Sequence, residues 1–133
     1  MKYLSEYMED RQTKAFEKAG SFFAFGDKQF KEAKEKHNYT DKNQLVSLGV
    51  GMICPKDTAE DLLKELETIY KESIAQDIAE NGIENCIKRE LNNHEAYYTR
   101  DTESTAEALS DYPNATAENI GKIFRNKNYK IAV

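Results

Sequence analysis

Tryptophan is absent from the 133 residues, and cysteine appears only twice. Cys54 and Cys86 stand too far apart in sequence for a zinc-ligand pair and are too few for a disulfide framework. No cofactor is expected. Long apolar runs are missing as well: no stretch approaches the roughly 18–20 residues that span a bilayer, and residues 1–19 lack the apolar core of a secretory signal. A soluble cytoplasmic protein is expected, without a membrane partner. There is no repeat, no low-complexity tract and no linker, so at roughly 100–150 residues per domain one domain is expected over residues 1–133. Basic charge is in the minority, with 19 Lys and Arg against 24 Asp and Glu and a net charge of −5. That balance argues against coating nucleic acid through bulk charge, and direct nucleic-acid binding is not expected. What is present is core material, with 39% hydrophobic residues, 8 Tyr and 6 Phe.

Helical periodicity dominates. From 58 to 80, Ala59, Leu62, Leu63, Leu66, Ile69, Tyr70, Ile74 and Ile78 recur in steps of three and four, a continuous stripe along one helix. Asp57 with Glu60 reads as its N-cap, and Asn81-Gly82 as its C-terminal turn. Ile83, Ile87, Leu91 and Tyr98 predict a second helix over 83–98. A third helix is expected over 5–19, and a fourth, short and capped by Asp27, carries Phe30 and Ala33 with its lysines toward solvent. Two more short helices fit the C-terminal third, the second capped by Thr116 and carrying Ile120, Ile123 and Phe124. The exception is 44–54, where Leu45, Val46, Leu48, Val50, Met52 and Ile53 with Gly49 and Gly51 predict a buried strand. Its ladder needs a partner, either the tail 129–133 or another copy of the chain. The predicted fold is mainly α, with α+β as the variant: a single-domain helical bundle with one or two short β-strands.

Polar residues concentrate at the end of the second predicted helix. His94, Glu95, Tyr97, Tyr98, Arg100 and Asp101 crowd one segment, and Glu90 lies one helical turn before His94, placed to orient the imidazole. As a metal site the set is short of ligands, because no second histidine stands nearby and no HExxH occurs. As a binding surface it is better endowed, since tyrosine and arginine dominate interface hot spots. The helix over 57–80 carries eight acidic residues, Glu65 and Glu67 among them, against Lys64 and Lys71, a balance of −6. Such a face governs encounter rate and salt sensitivity. Residues 22–25 hold three phenylalanines, read either as a plug over the core or as an exposed contact surface. Gly49 and Gly51 lack the third glycine of a dinucleotide fingerprint, and neither cysteine has a histidine in a nucleophile context.

Three strings, Phe23-Ala-Phe-Gly-Asp-Lys-Gln-Phe30, Ser47-Leu-Gly-Val-Gly-Met-Ile-Cys-Pro-Lys56 and Arg89-Glu-Leu-Asn-Asn-His-Glu-Ala-Tyr-Tyr98, resemble a family of small uncharacterised proteins of bacterial chromosomes, mobile elements and phages. The resemblance covers roughly residues 15–124. It implies an anti-defence role, an anti-CRISPR inhibitor of an RNA-targeting type VI effector, and it assigns no functional residue. The leading expectation is therefore a non-enzymatic interaction protein that binds a larger, nucleic-acid-handling protein stoichiometrically. Its oligomeric state is open, with a homodimer among the options. Two other classes compete: a DNA- or RNA-binding regulator using the helix pair at about 105–125 with its basic tail, and a small metal-dependent hydrolase built on Glu90, His94, Glu95 and Asp101.

Overall fold

The computed structural model describes the backbone of residues 1–132 and the side chains of residues 1–126. Among these, seven helices and three short strands follow in order: α1 (Leu4–Ala19), β1 (Phe22–Phe23), α2 (Asp27–Lys36), β2 (Leu45–Ser47), β3 (Met52–Pro55), α3 (Lys56–Asn81), α4 (Ile83–Asn93), α5 (Ala96–Thr99), α6 (Glu103–Ala108) and α7 (Ala117–Ala132). The architecture is mainly α, as the periodicity predicts, with one small antiparallel sheet of three strands where one or two were expected. Backbone proximity groups the chain into two compact units, residues 2–73 and residues from 74 onward. Each is described by itself.

In the first unit, α1 ends where Gly20 turns left-handed at φ 69° and its N–H closes on Glu17 and Phe16, the conformation glycine adopts without penalty. Ala15 and Ala19 are small enough to admit the sheet and α3, so they share a core with Cys54, Ala59, Leu62 and Ile69, flanked by Met8, Phe16, Val46, Leu48, Met52 and Leu66. The last α1 carbonyl, which has no helical donor of its own, accepts the Thr58 hydroxyl at 2.7 Å. One hydrogen bond thus caps α1 and locks it to the start of α3.

The predicted single strand over 44–54 is instead a hairpin. Gly49, Val50 and Gly51 all take positive φ, at 93°, 53° and 77°, and the Met52 N–H donates to the Gly49 carbonyl at 3.0 Å. Positive φ at both central residues is the signature of the tight hairpin turn whose twist matches its strands. The glycines therefore reverse the chain, and Gly51 also marks a close approach, since a Cβ there would fall 2.5 Å from the Phe25 ring. The sheet order is β1-β3-β2, with Phe22 opposite Ile53 and Val46 opposite Cys54. The ladder partners come from 22–23 and 45–47, not from the tail. Residues 129–132 continue α7, and residue 133 lies outside the described residues. The phenylalanine run divides between the two readings offered for it. Phe22 is buried beneath the parallel rings of His37 and Tyr39, while Phe23 and Phe25 remain exposed.

In the second unit, Gly82 at φ 78° separates the end of α3 from α4. Helix α4 stops at Asn93, five residues short of the predicted end. Asn92, Asn93 and His94 are weak helix formers, and Glu95 swings into the left-handed region at φ 53°, which turns the chain so that Ala96 is fully buried. Ile74, Cys86, Ile87, Leu91, Leu109, Tyr112 and Ile120 are the other buried apolar side chains among the described residues of this unit. Thr116 does cap α7, its hydroxyl accepting the Asn119 N–H at 3.1 Å.

Candidate functional site

Charge inside the second unit is organised around Asp77, which is fully buried on α3. Its Oδ1 accepts from Arg89 Nη1 at 2.8 Å and from Asn81 Nδ2 at 2.9 Å. Its Oδ2 accepts the Tyr112 hydroxyl at 2.6 Å. Burial alone would raise the Asp77 pKa, but the hydrogen bonds from Arg89, Tyr112 and Asn81 outweigh it and hold the carboxyl below its ordinary value. Burial pushes the Tyr112 hydroxyl well up, with the Asp77 bond adding to the effect. Both charges are neutralised and shut away from water, which suits a structural keystone rather than a reacting centre. Asp77 is one of the eight acidic residues counted along the helix over 57–80. Its position three residues after Ile74 on the apolar stripe is the signal that could have reassigned it, together with Arg89 between Ile87 and Leu91.

Arg89 extends the network outward. Its Nε donates to Glu90 Oε2 at 2.9 Å, and Glu90 Oε1 lies 3.9 Å from His94 Nε2. Glu90 and His94 are thus one turn apart, at a distance too long for the hydrogen bond that would orient the imidazole, with His94 partly exposed at the end of α4. Past that point the predicted site residues separate. Tyr97 turns inward, its ring stacked on Phe124 at 5.3 Å between centroids, and burial raises its hydroxyl pKa. Tyr98, which the periodicity set on the apolar stripe, is 89% exposed. The helix break rotates it outward. Glu95, Arg100 and Asp101 are exposed as well. Arg100 at φ 63° ends α5, and Asp101 Oδ1 accepts the Glu103 N–H at 2.9 Å to start α6. The segment is a corner with left-handed residues on both sides of a single helical turn.

The acidic surface is relocated. On α3, Glu60 pairs with Lys64, Glu65 with Lys18 at 3.8 Å, Glu67 with Lys71 at 2.8 Å and Glu72 with Arg11 at 2.8 Å, while Asp77 is buried. The hydrogen bond from Lys71 lowers the Glu67 pKa. Glu80 accepts from Gln76 Nε2 at 3.2 Å, so at least six of the eight carboxylates counted on that face are already committed. Residues 95–118 instead hold Glu95, Asp101, Glu103, Glu107, Asp111 and Glu118, all exposed, against Arg100 alone, a balance of −5. Tyr98 lies within this stretch and is exposed. The same field opposes phosphate binding by the α6–α7 pair. Lys122 and Arg125 of α7 are exposed, and the side chains of Lys127 and Lys130 lie outside the described residues.

Two other features complete the surface. Phe23, Phe25 and Val50 are 47%, 72% and 90% exposed, and Phe23 and Phe25 wall a shallow groove of about 370 Å³ along Gln29, Glu32, Ala33 and Lys36 of α2. Among the described residues, no three His, Cys, Asp or Glu side chains gather closely enough to hold a metal ion. His94 has Glu90 beside it but no third ligand. Among the described residues, no helix is long and apolar enough to cross a membrane.

A family model described as a family of unknown function, DUF7659, matches residues 4–130. No curated protein and no solved structure gives a significant match.

Proposed function

Since the chain belongs to this family of unknown function, we propose its role from its own surface: a non-enzymatic interaction protein that binds a larger, nucleic-acid-handling protein stoichiometrically. The observation that carries the reading is Tyr98, 89% exposed at a left-handed corner beside Arg100, within a stretch whose balance is −5. Tyrosine has few side-chain torsions to immobilise on docking, and tyrosine and arginine are hot-spot residues. Exposed carboxylates around it steer the chain toward a basic groove of the kind that holds phosphates. The partner class is an anti-defence target, an RNA-targeting type VI CRISPR effector, in keeping with the sequence resemblance to proteins of mobile elements and phages.

The reading is tested by titrating the purified chain against such an effector and measuring affinity and target-RNA cleavage. Tyr98→Ala or Arg100→Ala is expected to weaken the complex by about 1–2 kcal/mol, roughly tenfold. Reversing Glu103 and Glu107 to lysine is expected to slow association, most at low salt. Reversing Glu65 and Glu67, already paired on α3, is expected to do less. Absence of a complex with the effector, or affinity indifferent to both Tyr98 and Arg100, would overturn the assignment.

A further inference from the structure

Helix α2 buries none of its ten residues completely; Phe30, half-buried with its ring near Phe22, and Ala33 lie on its inward side. Its outward face is formed by Lys28, Lys31, Glu32 and Glu35, related by steps of three, four and seven and all exposed. Lys34, off this face, pairs with Asp41 at 3.2 Å. Among the described residues, no ion pair involves the four on the face. Their order has a property that a merely solvated face does not need. Read backward about a point between residues 31 and 32, Lys28 falls opposite Glu35 and Lys31 opposite Glu32. Turned on its own copy in antiparallel register, the face sets every charge against its opposite. A parallel copy in register would set each charge against its like.

We propose that this face is the contact of a two-fold symmetric homodimer, with α2 packed antiparallel on α2 of a second copy. Charge complementarity selects a second copy over a nucleic acid or an anionic membrane, because Glu32 and Glu35 would repel both. An isologous contact also requires a self-complementary surface, which this palindrome supplies. Surface ion pairs fix register and orientation better than they supply affinity, and apolar material lies at the edge. Phe25, 72% exposed, stands just before the first turn of α2. This contact is separate from the Tyr98 corner and does not depend on the function proposed for it.

The test is sedimentation velocity of the full chain from about 10 µM to about 1 mM, a range that spans weak dimers, with circular dichroism to verify folding. The wild type is expected to shift from monomer toward dimer, more so at low salt. Lys28→Glu with Lys31→Glu makes the face wholly acidic, and Glu32→Lys with Glu35→Lys makes it wholly basic. Each double variant alone is expected to associate at least ~10-fold more weakly, and an equimolar mixture is expected to form a one-to-one heterodimer. A wild type that stays monomeric throughout overturns the proposal. So does a wild-type dimer that both double variants also form. If the folded variants fail to pair when mixed, the antiparallel register is wrong.

Discussion

Val50 occupies a turn position that valine disfavours. Both central residues of the β2–β3 turn have positive φ, and such turns select Asn-Gly or Asp-Gly. A branched side chain in the left-handed region costs roughly 1–2 kcal/mol through the clash of its Cβ with the carbonyl. Val50 recovers none of this by burial, since 90% of its surface is exposed. Asparagine tolerates the left-handed region and lacks the added unfolded-state freedom of glycine. Val50→Asn is therefore expected to stabilise the chain by about 1 kcal/mol. At a urea dependence of about 2 kcal/mol per molar, the midpoint rises by roughly 0.5 M. Val50→Thr keeps the branching at Cβ and is expected to leave the midpoint nearly unchanged. Urea titration followed by circular dichroism reads both. An unchanged or lower midpoint for the asparagine variant, or an equal gain from threonine, would refute the strain account.

Asp77→Asn is expected to destabilise the chain by about 3 kcal/mol, because it leaves buried Arg89 with Glu90 as its remaining carboxylate and weakens the bond from Tyr112; thermal or urea unfolding measures it. The pH dependence follows from the depressed Asp77 pKa: its contribution is complete above the ordinary carboxylate value of about 3.9 and is lost as pH falls below that toward the native value. The stability curve of Asp77→Asn should accordingly be flatter than that of the wild type over this acid window. Tyr112→Phe, which removes the 2.6 Å hydroxyl bond to Asp77, is expected to cost about 1–3 kcal/mol in urea unfolding. Tyr98→Ala and Arg100→Ala are expected to change stability by less than about 0.5 kcal/mol, so that any loss of binding they cause is read at the surface and not in the fold.

The long helix was legible because a stripe of eight apolar residues over 58–80 admits one period only, and α1 was legible for the same reason. Three features were not. The hairpin hid because Gly49-Val50-Gly51 sits inside an apolar run, and valine is the residue least expected at a left-handed turn. The break after Asn93 hid because Tyr98 keeps the helical spacing of Ile87 and Leu91, and spacing does not register a single left-handed residue at Glu95. The keystone hid because a carboxylate is usually solvated. Asp77 became buried only because Arg89, twelve residues on, and Tyr112, thirty-five on, reach back to it, pairings that no local window contains. Within the polar segment the residue types that could form a contact surface were readable. Which of its two adjacent tyrosines faces outward was decided by the helix break.

The two cysteines fall one in each compact unit, Cys54 in residues 2–73 and Cys86 in the remainder, and both are fully buried. Burial, reinforced by the neighbouring Asp77, pushes the Cys86 thiol up to about 11, so the native side chain is protonated and sealed and an alkylating reagent reaches it only when its surroundings open. The chain thus carries an intrinsic clock in each half: brief alkylation pulses followed by peptide mass analysis time the breathing of the hairpin core and of the Asp77 keystone separately, with no label introduced and no residue changed.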